Sequence, residues 1–145
     1  MMTTSFRRPL LAALTCAAAL AFAAPASAET IAMKADLKAS NEVPPADSKG
    51  AGAVTATYDT VAKKLTWKGS YTGLSGPATA AHFHTGEAGK NGGVAIPIGG
   101  ADKSPFEGSA TLTDAQAADL MAGKYYINIH TAANPAGEIR GQVTK

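Results

Sequence analysis

Tyr125-Tyr126-Ile127-Asn128-Ile129-His130-Thr131-Ala132-Ala133-Asn134-Pro135-Ala136-Gly137-Glu138-Ile139-Arg140-Gly141-Gln142-Val143 holds two alternating runs around one turn. In the first run Tyr125, Ile127 and Ile129 fall on one face and Tyr126, Asn128 and His130 on the other; in the second, Ile139 and Val143 oppose Glu138, Arg140 and Gln142. Asn134-Pro135-Ala136-Gly137 supplies the turn, since proline presets φ and glycine accepts the positive φ that closes such loops. The stretch predicts a β-hairpin. If His130 faces Glu138 across it, Asn128 faces Arg140 and Tyr126 faces Gln142, giving a ladder of polar residues on one face. His82 and His84, the other two histidines of the chain, are spaced to join that ladder.

Working outward, the same period of two recurs along the chain. Ile31, Met33, Ala35 and Leu37 alternate with polar neighbours over 30–39, and Ser40 to Gly50, with Pro44 and Pro45, reads as an exposed loop. Strands are expected over 52–58 and 65–72, the second placing Trp67 on the apolar face as the best candidate for the centre of the core. Residues 78–85 form another, with Ala78, Ala80, His82 and His84 on one face and Ala81 and Phe83 on the other. Gly86 to Gly93 has neither P-loop spacing nor a helix opening after it, and is read as a flexible surface loop. Short strands follow at 94–98, where Pro97 implies an edge or a bulge, and at 106–112. One helix is expected, Asp114 to Ala122, with Thr113 as N-cap, Gln116 completing a capping box and Gly123 at the end. About eight short strands and one small helix near residues 114–122 predict an all-β Greek-key sandwich or barrel.

The N-terminus reads as an export signal. Arg7 and Arg8 precede an apolar run from Leu10 to Ala24, and Ala26-Ser27-Ala28 matches a cleavage site. Residues 1–28 are therefore expected to be a signal peptide, leaving 29–145 as one β domain in the periplasm or outside the cell; the twin arginines leave both Sec and Tat routes open. Taking the leader's two arginines from the 13 basic residues leaves 11 against 11 acidic ones, so the mature domain has no net formal charge. That argues against nucleic acid or an anionic membrane as partner, both of which need a clustered positive field. No second apolar segment is long enough to span a bilayer. Cys16, the single cysteine, lies in the leader, so the exported domain has no disulfide.

Several separated motifs carry a family likeness. Ser40-Asn41-Glu42-Val43-Pro44-Pro45, Leu65-Thr66-Trp67, Gly73-Leu74-Ser75, Ala81-His82-Phe83-His84, Tyr126-Ile127-Asn128-Ile129-His130 and Asn134-Pro135-Ala136-Gly137-Glu138-Ile139-Arg140-Gly141 together resemble the CHRD domain. That domain is named for chordin, an extracellular antagonist of bone morphogenetic proteins, and also occurs as a single exported domain in bacteria. The resemblance implies an extracytoplasmic β domain with no established enzymatic activity. Chordin's own role does not carry over, because this chain has none of chordin's cysteine-rich modules. Gly73-Leu74-Ser75 followed by His82-Phe83-His84 is also similar to the Gly-Leu turn and His-x-His strand that bind copper in copper/zinc superoxide dismutase. That likeness implies His82 and His84 as copper ligands. The disulfide and the histidine-rich zinc loop of that family have no counterpart here, so dismutase activity is not implied.

Two readings of the histidines follow. Residues i and i+2 on a strand project to one side roughly 6–7 Å apart, so His82 and His84 can converge on an ion, with His130 as the third nitrogen donor. Copper or zinc suits such imidazoles, and Glu138 could ligate or orient His130. Alternatively His82, His84, His130, Asn128, Glu138 and Arg140 form a satisfied polar network that pins strand register without metal. Hydrolysis has little support: Ser75 and Ser104 lack a nucleophile elbow, and nothing sets the separation of Glu87 and Glu107. The expectation is thus a non-enzymatic binding module for an unknown protein or glycan, or else a periplasmic copper or zinc protein.

Overall fold

The computed structural model describes residues 27–145. The signal-peptide assignment therefore lies almost wholly outside the described residues. The strands are β1 (Thr30–Lys38), β2 (Ala51–Asp59), β3 (Lys64–Thr72), β4 (Ala78–Thr85), β5 (Val94–Pro97), β6 (Phe106–Thr111), β7 (Tyr125–Thr131) and β8 (Ile139–Gln142). A 3-10 turn at Ala39–Asn41 follows β1, and the helix α1 (Asp114–Met121) joins β6 to β7. Each alternating run of the sequence became a strand because one side buries apolar side chains while the other meets water: β1 buries Met33, Ala35 and Leu37, and β2 buries Val54, Ala56 and Tyr58. The Thr113–Gln116 capping box is formed in both directions. Leu120 is buried, and Gln116 Nε2 donates to Ala95 O at 3.1 Å, so the helix docks on β5.

All strands pair antiparallel in the order β5-β4-β7-β8-β1-β2-β3-β6. The last strand returns beside the first, as in a Greek key. The sheet curls into a nearly closed barrel. Trp67 of β3 and Phe83 of β4 are separated by four strands in that order, yet their rings meet edge to face with centroids 5.1 Å apart. Trp67 is 3% exposed, as its place in the alternation predicts. Such a contact adds about 0.5–1.5 kcal/mol beyond the apolar area it buries. Among the described residues no helix is long and apolar enough to cross a membrane.

Two local readings are corrected. A bulge between Ala78 and Ala80 shifts the pleat by one residue, so Ala78 lies in the core with Ala81 and Phe83 instead of sharing the histidine face. Gly86 to Gly93 is a pinned strap. Gly86 N donates to Lys124 O at 2.7 Å, Asn91 Nδ2 to Val43 O at 2.8 Å, and Gln142 Nε2 to Gly86 O at 3.0 Å. The strap and the loop after β1 cover the outer face of β7. All seven residues of that strand are buried, its polar ladder included.

Candidate functional site

The hairpin register is the one the sequence predicts: Tyr126 pairs with Gln142, Asn128 with Arg140 and Ile129 with Ile139. Its turn depends on Gly137, whose φ of 133° lies in the region reserved for glycine, and where a Cβ would also meet Glu42 Oε1 and Asn128 Nδ2. On its other side β7 pairs with β4, aligning His82 with Asn128, His84 with Tyr126 and Ala80 with His130. This pairing brings the three histidines together. Their candidate ligand atoms all lie within 4.8 Å of one another, and His82 Nδ1 is 3.1 Å from His130 Nε2. Nitrogens around a tetrahedral ion sit about 3.3–3.4 Å apart at ordinary metal–imidazole lengths, so the His82–His130 separation is near that spacing and the widest one in the cluster exceeds it.

Backbone carbonyls set the tautomers. His84 Nδ1 donates to Gly92 O at 3.0 Å and His130 Nδ1 to Pro135 O at 3.0 Å, because a carbonyl only accepts. Each neutral ring therefore keeps its lone pair on Nε2. The Nε2 of His84 is buried with no hydrogen-bond partner, and that of His130 accepts from His82 Nδ1–H. An ion would take both lone pairs, with His82 moving its proton from Nδ1 to Nε2 to supply the third. His84 and His130 are 8% and 9% exposed, and His82 is half-buried, so access is from the His82 side. Burial, helped by the positive fields of His130 and His84, holds His82 below the usual imidazole range. Burial also lowers His130, outweighing the Pro135 carbonyl that favours its charged form. Both rings are thus biased toward the neutral form that ligates.

A stack supports His84. Its ring lies on Tyr126 at 4.8 Å between centroids and 7° between planes, and the Arg140 guanidinium carbon sits 3.4 Å from the Tyr126 centroid. Tyr126 Oη accepts from Gly92 N at 3.1 Å, while Arg140 donates to Asn91 Oδ1 at 2.9 Å and to Lys90 O. Arg140 and Tyr126 therefore fix the strap whose Gly92 carbonyl orients His84. The sequence placed Arg140 and Tyr126 in the ladder but offered no signal that Gly92 joins them, since its contacts depend on how the strap folds.

Glu138 corrects the expected pairing with His130. Its carboxylate turns to the opposite side of the hairpin and binds Ser48, Ser75, Thr131 and Asn134. Glu42, which the sequence shows only as part of a family motif with no role of its own, is 6% exposed beside Arg140 in an open cleft of about 490 Å³ lined also by Asn41, Ala88 and Gln142. Burial pushes Glu42 up to about 7, more than Arg140 and Asn128 pull it down. Its folded pKa exceeds the unfolded value, so the stability associated with its proton is present below about pH 4.5 and is lost as pH rises through 7, by about 3 kcal/mol in total. Glu42→Gln removes that loss. In urea unfolding at pH 5 and pH 8.5, the variant's advantage over wild type is expected to grow with pH; an unchanged difference would exclude a buried acid at this position.

No curated protein and no solved structure matched the chain in sequence or structure comparison. The family model of the CHRD domain matches residues 33–143, which spans β1 to the end of the hairpin and includes all three histidines. The chain belongs to the CHRD domain family.

Proposed function

We propose that this chain is an exported, non-catalytic CHRD binding domain whose ligand is a copper or zinc ion held by His82, His84 and His130. The observation that carries this reading is the unpartnered, buried Nε2 of His84, on a ring that stands with His82 and His130 in a cluster offering one nitrogen each within 4.8 Å of one another. A buried acceptor left without a donor costs free energy, and a metal ion is one partner that satisfies it. Export is proposed from the leader-like residues 1–28, and sequencing of the secreted or periplasmic product should find Glu29 at its start.

The competing reading, a polar network that holds strand register, draws on the Arg140–Tyr126–His84 stack. Metal analysis of the untagged domain purified from periplasm, then copper and zinc titration of wild type and the His82→Ala, His84→Ala double variant, separates the two. About one equivalent of metal is expected, lost in the variant, with affinity falling as acid protonates the imidazoles. A variant that merely melts earlier, beside a wild type that takes up no metal, would assign the histidines to architecture.

A further inference from the structure

We infer that the three-histidine site selects monovalent copper over zinc and over divalent copper, an inference that rests on the metal reading above. Donor softness does not make this choice, since imidazole serves zinc and copper alike. Charge does. All three donors are neutral imidazoles, and among the described residues no Asp, Glu or Cys joins the cluster. Glu138, placed opposite His130 by the hairpin register, gives its carboxylate to hydroxyls and an amide on the other side.

The ionic group tied to the site through ring stacking is a cation. Arg140 lies on one face of Tyr126 and His84 is stacked on the same ring. Among the described residues the ion pairs are Lys63–Asp114 and Lys68–Glu107; the Arg140 guanidinium, only 2% exposed, meets the neutral Asn91 Oδ1 and Lys90 O instead. No carboxylate among the described residues forms an ion pair with it, and Glu42 beside it, pushed up to about 7 by burial, cancels its charge only in part at neutral pH. An ion entering here is stripped of much of its water, and the charging cost in a medium of low polarity grows with the square of the charge, about four times larger for a divalent than a monovalent ion. Repulsion from Arg140 doubles as well. Three nitrogens also complete a trigonal site for a monovalent ion, whereas zinc held by three histidines needs a water as its fourth ligand.

The mature domain is titrated anaerobically with cuprous ion against a chromogenic cuprous chelator, and separately with zinc and cupric ions against a metal-binding dye. Cuprous affinity is expected to exceed both others by at least about a hundredfold. Arg140→Gln supplies the charge test, because it removes the cation that lies on the Tyr126 ring against which His84 is stacked. The variant's preference for cuprous ion is expected to shrink at least about tenfold. Zinc or cupric ion binding wild type as tightly as cuprous ion would overturn the selectivity and leave the histidine site standing. Failure of all three ions to bind would overturn both. A cuprous preference untouched in a folded Arg140→Gln protein would refute charge as its cause.

Discussion

Glu138→Ala is expected to destabilise the domain by about 3–5 kcal/mol, since hydrogen bonds to a charged group contribute about 1.5–3 kcal/mol each and several are lost together. Glu138 is fully buried, and five donors converge on it. Its Oε1 accepts from Ser48 Oγ at 2.5 Å and Ser75 N at 2.7 Å, and its Oε2 from Ser75 Oγ at 2.6 Å, Thr131 Oγ1 at 2.5 Å and Asn134 Nδ2 at 3.2 Å. Those donors come from the loop after β1, the turn before β4, and the hairpin, so one carboxylate fastens three segments distant in sequence. Alanine leaves each donor facing a void.

The pH dependence identifies the charge. Burial alone would raise Glu138, but the hydrogen bonds from Ser48, Ser75 and Thr131 outweigh it and bring the group to about 2. The folded pKa lies below the unfolded one, so this stabilisation is complete above about pH 4.5 and is lost as pH falls toward 2, by about 3 kcal/mol overall. Urea unfolding of wild type and Glu138→Ala should show a gap that is wide at pH 7 and narrower at pH 3. Equal midpoints at pH 7 would mean that the three segments are fastened by something else.

Gly92→Ala is expected to disable the histidine site without dismantling the barrel. A Cβ at position 92 would collide with the Thr85 carbonyl group, its carbon only 2.7 Å away, and backbone cannot yield as a flexible side chain can. The strap must shift, which withdraws the Gly92 carbonyl from His84 Nδ1 and the Gly92 amide from Tyr126 Oη. Loss of such an orienting partner lowers metal affinity by about 10–100-fold. Gly93→Ala is the control, since a Cβ there meets nothing within 4 Å. Nitrogen NMR of the imidazoles gives a readout independent of metal: His84 should lose its fixed Nδ1–H tautomer in Gly92→Ala and keep it in Gly93→Ala. An unaltered tautomer in Gly92→Ala would show that the strap does not orient His84.

What the sequence by itself determined is local. The periods of two in 30–39 and 65–72, the Thr113–Gln116 cap and the Asn134–Gly137 turn each act within about ten residues, and the structure has strands, a capping box and a hairpin there. The same logic put His82 and His84 on one face of a strand and paired Asn128 with Arg140. Only the tertiary structure decided that β4 lies beside β7, which carries His130 to the other two histidines, and that Glu138 turns toward Ser48, Ser75 and Thr131. It also decided that the Gly86–Gly93 strap and the Glu42 loop roof a polar face that the alternation would leave to water. The physical reason is one of range: backbone periodicity and turn chemistry depend on neighbours in the chain, whereas strand order and the fate of a polar face depend on which distant segments exclude water together.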